Sequence, residues 1–132
     1  MNLSAHSKNK LYHSFSAYEV PREWAYVMYN YLVHGLHPGS FFTALLANDA
    51  MGAIGHSHPS NTIVVLKSLV SWIKNELPHN VGNGSYEIVH EWTRLSAGRR
   101  RSVLEASDLI YSEQYEIVLI LKDEPTKEPF FW

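Results

Sequence analysis

The sequence predicts a mainly α domain of α+β type: a compact bundle of four to five helices with one or two short β-strands near the termini. Three observations carry this. Apolar residues recur at helical spacing over three successive stretches between residues 21 and 77. Those stretches are bounded by Pro, Gly, Ser and Asn, which start and stop helices. Only "QYEIVLILKD", residues 114–123, alternates apolar and polar residues as a strand does. The expectation is one domain over 1–132, with 1–10 disordered, a helical core over 21–96, a helix plus strand over 99–123 and a tail over 124–132.

The elements follow in order. "LYHSFSAYEV", residues 11–20, alternates loosely and reads as an edge strand or an ordered lead-in. Pro21 opens the first predicted helix, where its missing N–H costs nothing. Trp24, Val27, Met28, Tyr31 and Leu32 fall on one face, and Gly35 stops the helix as a left-handed cap on which Leu36 packs. Ser40 is the expected N-cap of a second helix running to about His56. That segment is apolar nearly all round, so it is expected to be an inner pillar.

The third helix is "TIVVLKSLVSWIKNEL", with Ile63, Leu66, Val70, Ile73 and Leu77 as its stripe, widened by Val65, Leu69 and Trp72. Pro78 stops it. Ser85 caps a fourth helix whose Ile88, Val89 and Trp92 face inward. Gly98 breaks the chain before a weaker fifth helix, "RRRSVLEASDLIYS". A lone strand is not stable, so the strand over 114–122 must pair with residues 11–20 or with a second copy of the chain, giving a homodimer.

Composition bounds the chemistry. The chain has 132 residues and no cysteine, which removes disulfides, thiolate metal sites and thiol nucleophiles together. A net charge of −2 gives the whole chain no strong attraction to nucleic acid. The opening "MNLSAHSKNK" has no apolar core behind it, and no run approaches the roughly 20 apolar residues of a membrane span. No membrane association is expected, and a cytoplasmic location is. Eight tyrosines and four tryptophans stand out, since both types concentrate in interfaces as well as cores.

Four histidines flank the two predicted corners: His34 and His37 at the first, His56 and His58 in "GHSHPSN" at the second. A helix of about 16 residues would hold the two pairs about 24 Å apart. His56 and His58 alone lack the third ligand of a catalytic zinc, so they read as corner residues and no cofactor is expected. Asn48 and Asp49 are sharper, because they sit in the most apolar segment. An unpaired buried polar group costs about 1–3 kcal/mol. Of three readings, a satisfied pair that fixes helix register, a carboxylate facing a cleft, or simple exposure, the first is the one expected, with the amide and acid of the inner pillar tied down and idle. The candidate partners for a buried Asp49 are Arg22, Arg94, a Tyr hydroxyl or a helix N-terminus.

No enzymatic pattern stands out. GxSxG is absent, and "GNG" is too short for a phosphate cradle without a following lysine. A helix-turn-helix reading would use the second and third helices, with Arg99, Arg100 and Arg101 on phosphates. Its recognition helix, "SNTIVVLKSLV", has one lysine and no arginine. The leading expectation is therefore a non-enzymatic protein-binding module. Its expected contacts are Tyr26 and Tyr29 on the first helix, the arginines 99–101, and the aromatic tail ending in Trp132.

Tyr31, Gly35, Pro38, Gly39, Ser40, Phe41, Ala44, Leu46, Asn48 and Asp49 form a G-x-x-P-G-S-F-x-x-A-x-L-x-N-D pattern, continued by Asn61, Trp72, Asn75, Pro78, Gly84 and Ser85. With these residues the chain resembles a group of short tailed-bacteriophage and prophage proteins over about residues 21–92. It departs from them at Phe42, at Ala50 and at 58–60, where His-Pro-Ser replaces acidic caps. The resemblance implies a phage accessory protein in the host bacterial cytoplasm, and it carries no activity. Small size, the lack of a catalytic constellation and an aromatic-rich surface add the expectation of a host protein as partner, with inhibition of a defence system such as CRISPR interference as one outcome.

Overall fold

The computed structural model describes residues 1–57 and 62–112. Among the described residues there are helices and no strand. The helices are α1 (Ala5–Ala17), α2 (Arg22–His34), α3 (Ser40–Leu46), α4 (Ala50–His56), α5 (Ile63–Glu76), α6 (Tyr86–Arg94) and α7 (Ala97–Ala106). The predicted strand at 114–123 and the aromatic tail lie outside the described residues.

The N-terminus is the first correction. Residues 5–17 form a helix rather than a frayed lead and an edge strand. Ser4 starts it, its hydroxyl accepting from the Ser7 N–H at 3.1 Å. Ser7, Leu11, Tyr12 and Phe15 form its buried face. Ser7 is itself a small buried polar residue, whose hydroxyl accepts from the Tyr111 N–H at 3.2 Å.

α2 is the central element, packed against α1, α6 and α7. Ala25, Met28, Tyr29, Tyr31, Leu32 and Val33 are buried along it. Gly35 ends it at φ 68°, with its N–H on Tyr31 O and the Leu36 N–H on Asn30 O. That is the left-handed cap the sequence predicts. Leu36 itself is exposed rather than packed.

The second correction concerns the predicted pillar over 40–56. It is two helices, and only the first is deeply buried. α3 buries Phe41, Phe42, Thr43, Ala44 and Leu46 against α4 and α6, whereas α4 buries Ala53 alone. Ser40 is the first helical residue of α3, and Gly39, at φ 87°, stands before it with no side-chain cap bond.

α5 buries Leu69, Trp72 and Ile73 and packs on α1, but the start of its predicted stripe faces water. Thr62 caps it, accepting from the Val65 N–H at 3.3 Å. Ser85 caps α6 as predicted, accepting from the Ile88 N–H at 3.2 Å, and Val89 and Trp92 face inward while Ile88 is half-buried. Gly98 does not break the chain. It lies inside α7, which Ser96 caps through the Arg99 N–H at 3.2 Å.

Trp72, Tyr31 and Trp92 are core members with tethered polar tips. Trp72 Nε1 donates to Ser14 Oγ at 3.0 Å and packs on Phe15 with ring centroids 4.7 Å apart. Tyr31 donates its hydroxyl to Gly82 O at 2.7 Å, and Trp92 Nε1 donates to Tyr31 O at 3.0 Å. These bonds satisfy groups whose burial would otherwise be costly. Burial alone pushes the Tyr31 phenol well above its ordinary pKa.

Candidate functional site

The site is built on the break between α3 and α4. Asp49 N–H bonds Ala44 O at 2.9 Å and Asn48 N–H bonds Leu45 O at 3.2 Å, while Asn48 takes φ 62°. This is a six-to-one and five-to-two helix stop, with asparagine in the left-handed position usually given to glycine. Asp49 then starts the next helix, its Oδ1 accepting from the Gly52 N–H at 2.9 Å. The pair is thus a stop followed by a start. It is not a buried pair that fixes the register of one helix.

Tyr86, at the head of α6, donates its hydroxyl to Asp49 Oδ2 at 2.5 Å. Two of the partners considered for Asp49, a tyrosine hydroxyl and a helix N-terminus, are therefore the ones it has. The Tyr86 bond, then the Gly52 N–H, hold the Asp49 carboxyl below its ordinary pKa, and the same bond raises the Tyr86 phenol. Asp49 is an ionised, oriented carboxylate. Gly52 makes this contact possible, since a Cβ there would stand 2.3 Å from Asp49 Oδ2 and 3.2 Å from the Tyr86 hydroxyl.

Beside this pair lies a hollow of about 490 Å³. Its apolar wall comes from Leu45, Val70, Ile73 and Leu77, and its polar lining includes Asn48, Asp49, Lys74, Asn80 and Asn83. The loop 78–84 closes one side, tied to the end of α3 by the Gly84 N–H on Leu46 O at 2.7 Å. Asn83 braces that loop by donating to Pro78 O and Val81 O at 3.1 and 2.8 Å. Asp49 therefore borders an open, ligand-sized space, which overturns the idea of an idle acid inside an inner pillar.

The other predicted site residues scatter. Tyr29 is 6% exposed, with its ring 5.3 Å from that of Tyr12, so it is not a surface contact. Tyr26 is exposed on the same helix at 39%. The arginine run divides three ways. Arg99 is exposed. Arg101 donates to Asn2 O and lies 3.8 Å from Glu105 Oε1.

Arg100 is 7% exposed and donates to Val33 O at 3.1 Å and to Leu95 O, at the ends of α2 and α6. A cation placed at two helix C-termini is a structural clamp, so Arg100 leaves the list of partner contacts. His56 is exposed at the end of α4, and His58 and Trp132 lie outside the described residues. No three His, Asp or Glu side chains converge among the described residues, and no described helix is long and apolar enough to cross a membrane.

Sequence reasoning missed a set of exposed apolar side chains on α4 and the first turn of α5. Met51 is 83% exposed, Ile54 66%, Ile63 75% and Val64 67%. Met51 and Ile54 are three apart, which puts them on one face of α4. The signal was present: Met51 and Ile54 share a helix with Ala53 alone to bury, and "IVV" precedes the point where the α5 stripe meets the core. No family model matches the chain, and neither does any curated protein or any solved structure.

Proposed function

We propose that this chain is a non-enzymatic binding protein that docks on another protein through α4 and the start of α5. The observation that carries the reading is the exposure of Met51, Ile54, Ile63 and Val64, four large apolar side chains each more exposed than Leu36, the other exposed large aliphatic among the described residues. Met51 and Ile54 share one face of α4, Ile63 and Val64 are neighbours in the first turn of α5, and exposed apolar groups of this size mark interaction sites. The chain has no Asp, Glu, Lys or Arg between Asp49 and Lys67, so this stretch brings no lysine or arginine to phosphates and suits an apolar protein face. Tyr26 and Arg99 remain candidate contacts elsewhere on the surface.

The pattern from Gly35 to Asp49 supports a phage or prophage accessory role. The partner would then be a host protein in the bacterial cytoplasm, and blocking a defence complex such as CRISPR interference is the action proposed. The test is affinity capture from a bacterial lysate with the wild-type chain and a Met51→Glu/Ile54→Glu variant. Both substitutions fall on exposed positions, so the variant keeps its thermal midpoint. The reading expects a specific partner held by the wild type and lost from the variant. Equal capture by both chains, or self-association that the variant abolishes, sinks the host-partner reading. Binding to duplex DNA with a steep salt dependence would replace it by a nucleic-acid one.

A further inference from the structure

We propose that the hollow beside Asp49 is a binding site for a small apolar zwitterion, of which a free apolar amino acid is the simplest member. Met51, Ile54, Ile63 and Val64 are not among the residues that line it, and neither proposal depends on the other. Its size, about 490 Å³, lies in the range that holds small ligands. Its chemistry is divided. Leu45, Val70, Ile73 and Leu77 form an apolar wall, while Asp49 and Lys74 supply one charge of each sign.

Asp49 is already oriented, because each carboxylate oxygen accepts one internal bond, from Gly52 N–H or the Tyr86 hydroxyl. Each oxygen keeps a lone pair for an incoming donor. Lys74 is exposed in the last turn of α5 and has no ion-pair partner among the described residues. An ammonium group on the ligand matches Asp49, and a carboxylate matches Lys74. Asn48 and Asn80 border the same space with side-chain amides that can serve either end.

The frame is set before any ligand enters. The stop at Asn48 is a backbone feature, and the Gly84–Leu46 bond fixes the facing loop. Preorganisation of this kind lowers the cost of binding. An uncharged apolar ligand would leave both Asp49 and Lys74 unanswered, and a purely anionic one would face the fixed carboxylate.

Titration calorimetry on the full chain tests this, with leucine and phenylalanine as probes and two blocked analogues as arms. Phenylalaninamide lacks the carboxylate, and N-acetylphenylalanine lacks the amine, so a peptide terminus would be mimicked by one or the other. The expected result is binding of the free amino acid, with each blocked analogue weaker by about tenfold or more. Lys74→Met should weaken phenylalanine by a similar factor and leave phenylalaninamide unchanged. Asp49 also caps α4, so Val70→Phe serves as a second variant that fills the hollow without touching the cap, and it should abolish binding. Absence of binding at millimolar amino acid overturns the proposal. So does equal binding of all the analogues, or binding that survives Val70→Phe.

Discussion

Replacing Arg100 by methionine should destabilise the fold although no ligand or partner is involved. The guanidinium reaches Val33 O and Leu95 O, carbonyls at the ends of α2 and α6 that the helices leave without a partner. Methionine fills much of the space of the arginine stem but donates no bond. Each carbonyl left unsatisfied costs roughly 1–3 kcal/mol. Removing a buried charge returns part of that, since the guanidinium gives up hydration to sit there. The net loss should be about 2–4 kcal/mol, a large share of the roughly 5–15 kcal/mol of a typical domain. In urea this appears as a midpoint lowered by about 1–2 M with the slope unchanged. Arg99→Met, one residue away and exposed, should stay within about 0.5 kcal/mol of the wild type. Arg100→Lys should fall between them, because a point charge cannot serve two diverging carbonyls as a planar fork does. An Arg100→Met chain as stable as the wild type, or an Arg99→Met chain equally damaged, would refute the clamp.

Asn48 offers a test of the helix break. At φ 62° a β-branched residue is strained, so Asn48→Val should cost about 1–2 kcal/mol, whereas Asn48→Gly should be neutral or slightly stabilising in the same urea assay. His34 gives a pH dependence. Burial, then the positive charges of the N-terminus, Lys8 and Arg100, lower its pKa from 6.5, so the folded state keeps the imidazole neutral longer than the unfolded chain does. The unfolded state therefore binds more protons below about 6.5, and stability falls as pH drops from there toward the folded value. His34→Gln should flatten that part of the profile, read as urea midpoint against pH.

Much of the helical core can be read from the sequence, and the misreadings have physical causes. α2 and α6 carry their own punctuation in Pro21, Gly35 and Ser85, and structure and expectation agree there. α1 escapes because serines occupy its inward positions. Ser14 donates to Leu11 O at 2.6 Å and accepts from Trp72, so a tertiary bond replaces the apolar residue that a stripe would show. The break at Asn48 is a local signal, Asn as stop and Asp as cap, but it is outweighed by the oily residues on both sides when the whole window is judged.

The partners of Arg100 and Asp49 are not local at all. Val33 is 67 residues from Arg100, and Tyr86 is 37 residues from Asp49, so only the fold brings them together. The hollow has the same origin, since its wall combines α3, α5 and the 78–84 loop.

Asp49 stands as a fixed, ionised carboxylate at the head of α4, oriented by Tyr86. Carbon-detected NMR titration of the Asp49 carboxyl in the wild type and in Tyr86→Phe tests it most directly. The midpoint should lie below the ordinary aspartate value of 3.8 and rise when the phenol is removed, because the bond that favours the charged form is gone. A midpoint above that value, or one indifferent to Tyr86→Phe, would contradict it.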